Sequence, residues 1–257
     1  IRRPVHEEGI SLEEAKRQMD AYRTARPPEN SVTDGTGKRF LSMIGMGMGG
    51  GRQLTLEALE VLERSDIVFG ASRMLADLAP WLHEKHQETY YQPEKILDWL
   101  EEHKTCQQAV VVCSGDTGFY SGSGSMMREL KARFGEVESS PYEVTVFPGI
   151  SSVSALAARF GISWDDACLA SAHGRDCDAA ALLKEHEKVF LLLDSSMNLR
   201  QICQILKDAD MGNTRIYAGV RMGYEDERKT YGTAEEMTDI ETNSLTAVFL
   251  EREKDER

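Results

Sequence analysis

The apolar run Ala109-Val110-Val111-Val112-Cys113 passes straight into Ser114-Gly115-Asp116-Thr117-Gly118-Phe119-Tyr120. A β-branched run of that length reads as a buried strand. Ending in Ser-Gly-Asp and a Gly- and Ser-rich turn, it sets backbone amides and one carboxylate at the carboxyl edge of a sheet. Open α/β sheets bind their ligands at that edge.

The run sits in an alternation that starts at Arg39. Strands are expected at 40–44, 66–69, 109–113 and 144–147. Helices are expected at 54–64, with apolar Leu56, Leu59 and Leu62, and at 73–81, 96–102, 125–134 and 151–160. Strand–helix alternation predicts a parallel sheet with covering helices. A second set follows, with strands at 168–171, 189–193, 215–220 and 245–250 and a helix at 199–207. The expected organisation is an N-terminal helix and linker over 1–39, an α/β domain over 40–162, a second over 163–252 and a charged tail over 253–257. Ser11-Leu12-Glu13-Glu14 fits a capping box for a helix over 12–25, which Arg26-Pro27-Pro28 stops.

Composition narrows the function classes. The formal net charge of −13 opposes a nucleic-acid partner, which needs a positive footprint. Any anionic ligand must then be held by particular Arg or Lys side chains. No apolar run reaches the length of about 18 residues that a membrane span needs, and the first residues lack the apolar core of a signal peptide. Cytoplasm is the default expectation, and without an initiating Met the chain reads as a trimmed or partial product. The five cysteines are odd in number and include no C-x-x-C, so they read as small buried hydrophobes rather than disulfides or a zinc site.

Three strand ends carry the chemistry. The first is Gly45-Met46-Gly47-Met48-Gly49-Gly50-Gly51, in which Gly45, Gly47 and Gly50 satisfy G-x-G-x-x-G. A dinucleotide site would open its helix within the glycines and end its second strand on an acid. Here Thr55 reads as the helix cap and the second strand ends Phe69-Gly70, so the loop reads as bare backbone admitting a ligand, or as a mobile turn. At the third strand end, Asp116 either receives a ligand hydroxyl or amine or balances a cation, or caps its own backbone in an Asx-turn. After the fourth come Pro148-Gly149-Ile150-Ser151-Ser152, where Ser151 or Ser152 caps a helix whose small residues Ser154, Ala155, Ala157 and Ala158 allow close packing on its sheet.

Taken in order, G-x-G-x-G after strand one, S-G-D-x-G-F-Y after strand three and P-G-I-S-S after strand four resemble the tetrapyrrole methylase superfamily over about residues 40–250. The resemblance implies a class III methyltransferase-like fold of two α/β domains, with S-adenosylmethionine bound in the cleft between them and S-adenosylhomocysteine as product. Gly70-Ala71-Ser72-Arg73-Met74-Leu75, Ser171-Ala172-His173-Gly174-Arg175, and Gly223-Tyr224-Glu225-Asp226-Glu227-Arg228 followed by Tyr231-Gly232-Thr233 resemble the branch that methylates precorrin-6Y or cobalt-precorrin-7 at carbon 5 in cobalamin synthesis. Two departures stand out: Met48 and Thr117 replace the proline usual in the family.

Carried over, the resemblance implies donor contacts at Gly45, Gly47, Met48, Ser114, Gly115, Asp116, Phe119, Ser151 and Ser152, with Leu193 and Val220 on the adenine side. The substrate would be a polyanionic corrinoid, with Arg73, Arg175 and Arg221 as fork donors to its carboxylates. Asp116 and His173 are the catalytic candidates, His173 as a proton acceptor or relay. No protein-bound metal is implied. A homodimer is, and a separate enzyme would methylate carbon 15, an activity that some relatives carry in a fused second domain and that is expected to be absent from this chain. His83 and His86 read as a solvated helix face, and Glu225-Asp226-Glu227 as a turn surface. The alternatives are another superfamily methylase, acting on a different tetrapyrrole carbon, ribosomal RNA or a protein, and a non-catalytic nucleotide- or S-adenosylmethionine-binding module.

Overall fold

The computed structural model describes residues 37–252 except Gly50 and 174–176. The expected helix at 12–25, the charged tail, Gly50 and Arg175 lie outside the described residues. The described residues from Arg39 onward form one compact unit.

The first sheet contains β1 (Arg39–Gly45), β2 (Ile67–Phe69), β3 (His86–Glu88), β4 (Gln108–Cys113) and β5 (Tyr142–Phe147), in the order β3-β2-β4-β1-β5. All its pairings are parallel, with β1 central between β4 and β5. The apolar runs are continuous because both faces are covered. Along β4, Ala109 and Val111 face helices α3 (Pro93–Glu102) and α4 (Ser123–Phe134), while Val110 and Val112 face α1 (Leu56–Arg64) and α2 (Ser72–Asp77). That is the period of two of an extended chain. Thr55 caps α1 by accepting from the Ala58 amide at 3.1 Å. The face that α1 buries is Ala58 and Leu62, and Leu56 stays half exposed, so the expected Leu56-Leu59-Leu62 stripe is corrected by its first member.

The second sheet contains β6 (Cys168–Ser171), β7 (Lys188–Leu193), β8 (Arg215–Val220), β9 (Arg228–Thr233) and β10 (Thr246–Glu251), in the order β6-β7-β10-β8-β9. Only the β6–β7 pairing is parallel. The others are antiparallel, because β8, β9 and β10 follow one another without the crossover helix that a parallel pair requires. Helices α6 (Ala179–Glu185) and α7 (Leu199–Asp208) cover one face. Asn198 and Gln201 close a capping box on α7, which buries Leu199, Ile202, Cys203 and Leu206.

Helix α5 (Ser152–Phe160) follows the last strand of the first sheet, yet it packs on the other one. Val153, Ala155, Leu156 and Ala157 join Phe190, Ala247 and Phe249 in a single core, with Met48 and Phe119 of the first half against it. The small residues do permit a close approach: a Cβ on Gly219 of β8 would fall 2.7 Å from the Leu156 side chain. The partner sheet is the second one, however, and Ala158 is exposed.

His83 and His86 are not on a helix. His83 lies in a turn and His86 in the edge strand β3, both exposed and facing Glu84 and Glu88 respectively. Cys106, Cys113 and Cys203 are buried, and Cys168 and Cys177 are half-buried. Among the described residues no helix is long and apolar enough to cross a membrane.

Candidate active site

The loops after β1, β4 and β5 meet in a knot of backbone. Gly47 and Gly115, both left-handed (φ +73° and +66°), exchange hydrogen bonds in a two-residue bridge at 3.1 and 3.0 Å. A Cβ on Gly45 would lie 2.6 Å from the Gly149 nitrogen and 2.7 Å from the Gly115 oxygen, and one on Gly149 would lie 2.3 Å from that same oxygen. The glycines are needed there because main chain touches main chain.

Asp116 ties the knot. Its Oδ1 accepts from the Gly118 amide at 2.8 Å and its Oδ2 from the Gly149 amide at 3.0 Å. The Asx-turn reading therefore holds, and the second oxygen reaches across to the loop after β5. Thr117 donates its hydroxyl to the Phe147 carbonyl at 3.2 Å, a tie that the family's usual proline has no group to make. Met48 binds through backbone, its amide donating to Gln53 Oε1 at 2.9 Å. Helix α1 starts at Leu56, beyond the glycines, so no helix end is aimed through the first loop. Ser151 caps α5 by accepting from the Ser154 amide.

Above the knot lies a cavity of about 280 Å³. Of the residues expected at the site, Gly47, Met48, Ser114, Gly115, Asp116, Phe119 and Ser152 line it from the first half of the chain, and Leu193 from the second. Arg73 and His173 also line it, the latter exposed. Four expected residues are placed elsewhere. Gly45 is in the knot beneath, and Ser151 faces a neighbouring groove with Ile150, Trp164 and Leu169. Val220 is buried opposite Thr246. Arg221 follows it outside the lining, held by Asp226 and stacked over Tyr224.

Sequence reasoning missed part of the wall. Leu192 and the 244–247 segment entering β10 face the glycine loop across the cavity, with Met222 and Tyr224 beside them. Tyr224 lies within a motif that carried the family resemblance, which was the available signal. Its neighbour Gly223 (φ +85°) packs on the Met48 carbonyl, and a Cβ on Gly49 would fall 2.5 Å from the Tyr224 ring.

Around Tyr224 the charged groups are paired. The Tyr224 hydroxyl donates to Asp77 Oδ2 at 2.6 Å, and Arg73 Nη1 contacts both that hydroxyl and Asp77. Burial and the hydrogen bond to Asp77 push the Tyr224 phenol above its ordinary range. Arg159 grips Glu227 with two hydrogen bonds, at 2.7 and 2.9 Å, and Glu227 also accepts from the Gly223 amide. The Arg159 hydrogen bond holds the Glu227 carboxyl below its usual value, and Arg221 does the same to Asp226. Glu225 and Asp226 lie in an exposed turn, as expected, while Asp226 and the half-buried Glu227 are also paired with Arg221 and Arg159.

Residues 41–238 match the family described as Tetrapyrrole (Corrin/Porphyrin) Methylases. The chain belongs to that family. It is a methyltransferase of the two-sheet α/β class. It is 32% identical over 189 residues to the cobalt-precorrin-7 C(5)-methyltransferase of Salmonella typhimurium, covering 74% of this methylase and 88% of that protein. Its fold is shared with the cobalamin biosynthesis precorrin-6Y methylase of Archaeoglobus fulgidus (TM-score 0.61, 23% identity, 84% and 99% of the two chains). It is shared too with the uroporphyrin-III C-methyl transferase of Thermus thermophilus complexed with S-adenyl homocysteine (TM-score 0.64, 20% identity, 82% and 97%).

Proposed function

We propose that this methylase transfers a methyl group from S-adenosylmethionine to carbon 5 of a corrinoid of the cobalt-precorrin-7 type. The observation that carries the reading is the identity to the Salmonella enzyme across most of both chains. The cavity suits the donor. It is walled mainly by apolar side chains such as Met46, Met48, Phe119 and Leu193, with backbone groups of Gly47 and Gly115 in its floor. A Cβ on Gly115 would meet nothing nearer than the Ile150 oxygen at 4.0 Å, so there is open space beside its Cα.

S-adenosylmethionine supplies a methyl on a sulfonium cation, displaced in line by an electron-rich ring carbon. The protein's part is positioning. Asp116, with both carboxylate oxygens holding backbone amides, fixes the loop after β4 to the loop after β5 rather than moving a proton, and the Gly47–Gly115 bridge adds the loop after β1. His173, exposed at the rim, is the group here assigned to take a proton from the methylated ring system. Arg73 and Arg221 are assigned to the substrate carboxylates.

Calorimetry with S-adenosylmethionine and S-adenosylhomocysteine tests the donor, and turnover of cobalt-precorrin-7 with ¹³C-methyl donor tests the acceptor. A single new ¹³C-methyl resonance at carbon 5 is expected. Absence of homocysteine-product binding refutes the donor, and label at another carbon refutes the regiochemistry.

A further inference from the structure

Two guanidinium groups flank Tyr224, each with one edge tied and the other bare: Arg73 lines the cavity, and Arg221 lies just outside its lining. Arg73, on α2, is held through Nη1 by Asp77 and the Tyr224 hydroxyl; its Nε and Nη2 have no hydrogen-bond partner among the described residues. Arg221, after β8, is held through Nε by Asp226; its two Nη groups likewise have none among the described residues. Tyr224 stands between them. Its hydroxyl meets Arg73, and its ring lies under Arg221, whose Cζ is 4.5 Å from the centroid.

Arg221 has a left-handed backbone (φ +52°), a conformation that is strained for a residue with a Cβ. The surroundings maintain it: the Arg221 amide donates to the Leu245 carbonyl at 2.8 Å, and its carbonyl accepts from the Tyr224 amide at 3.1 Å. Strain of this kind gathers where a side chain must be aimed. In a chain of net charge −13, two cations kept partly bare beside a cavity point to an anionic ligand.

Resting on the function proposed above, we infer that Arg73, Tyr224 and Arg221 form a carboxylate grip, in which Tyr224 is the positioning residue. The bare edges of the two guanidiniums bind acidic side chains of the macrocycle, and the phenol sets the distance and angle between them. Asp77 and Asp226 neutralise the far edges, so the grip is rigid before substrate arrives. Because Arg73 belongs to the first half of the chain and Arg221 to the second, engaging both also fixes which edge of the macrocycle faces the methyl donor.

The test is calorimetric titration of the full chain with cobyrinic acid, a corrin bearing free carboxylates, and with its fully methylated ester. S-adenosylhomocysteine is titrated in parallel. The wild type is expected to prefer the acid over the ester by about tenfold or more, the value of one or two charge-assisted hydrogen bonds. Arg73→Gln and Arg221→Gln should each reduce that preference about tenfold, and Arg73→Lys should reduce it less. Tyr224→Phe keeps the ring under Arg221 but frees Arg73, and should reduce the preference several-fold with ester and S-adenosylhomocysteine affinity unchanged. Acid affinity unaltered in all four variants overturns the inference. So does a Tyr224→Phe protein in which acid, ester and S-adenosylhomocysteine binding fall together, because the phenol would then be packing alone. Failure of the wild type to bind S-adenosylhomocysteine refutes the donor reading, while the acid–ester comparison still judges the grip.

Discussion

Replacing Gly149 by alanine inserts a methyl group where three backbones already touch. The new carbon would lie 2.3 Å from the Gly115 oxygen, 2.7 Å from the Gly45 carbonyl carbon and 2.8 Å from the Gly45 Cα. None of these atoms ends a flexible side chain, so the loops must part. Overpacking a close-packed region costs about 1–3 kcal/mol, and main chain on every side puts this site at the upper end, about 3 kcal/mol. In a unit of this size that lowers the melting temperature by roughly 6–12 °C. Gly115→Ala is the matched control. Its Cβ meets only the Ile150 oxygen at 4.0 Å, and its cost is the left-handed φ of +66°, about 1–2 kcal/mol. Asparagine tolerates that conformation, so Gly115→Asn should recover part of the loss. Gly149→Asn should recover nothing. Urea unfolding of the four variants, with S-adenosylhomocysteine titration of each, reads both effects. The reasoning fails if Gly149→Ala is no less stable than Gly115→Ala, or if asparagine is tolerated better than alanine at 149.

Asp116→Asn leaves one acceptor oxygen for two amides, and should cost about 1–2 kcal/mol in urea unfolding while weakening S-adenosylhomocysteine binding; unchanged stability would contradict the assigned role. The carboxyl of Glu227 is held below its ordinary value of 4.5 by Arg159, so its stabilisation is present above that value and is lost as pH falls through the lowered folded one. Glu227→Gln should therefore unfold at lower urea than wild type at pH 7, by about 1 kcal/mol for this quarter-exposed pair, and the two proteins should converge as pH falls through the lowered folded value. Burial pushes the thiols of Cys106 and Cys203 to about 11, so Ellman's reagent at pH 8 should reach them only on unfolding, as read by the rate of thiolate release in native and denatured protein.

The first sheet was legible because β1 and β4 are short buried apolar runs, and β5, though a largely exposed edge strand, keeps Val144, Val146 and Phe147; each is closed by a loop of small residues. Strand β3, three polar residues at the sheet edge, and β9, Arg-Lys-Thr-Tyr-Gly-Thr, carry no apolar signal, since edge strands are held by one neighbour's backbone and little core. The antiparallel character of the second sheet was hidden for a related reason. Direction follows from connection lengths, and with β9 unseen the path from β8 to β10 could not be drawn. At the site, the glycine loop, Ser-Gly-Asp and the serine cap were readable as strand ends. Their convergence depends on contacts between loops far apart in sequence, and the Tyr224–Asp77 bond joins residues 147 positions apart. Which sheet α5 would cover was equally unreadable, because its alanines fit either surface.

Strand β10 lies between β7 and β8, and the residues leading into it close the cavity. During synthesis the second sheet must therefore wait. Until residues 246–251 have left the ribosome, β7 and β8 each show an unpaired edge to solvent, and the pocket lacks its far wall. A methyl donor cannot chaperone the growing polypeptide, since it has nothing finished to hold; whatever protection it gives arrives in one late step, when the insertion of a single strand turns two half-built layers into an enzyme.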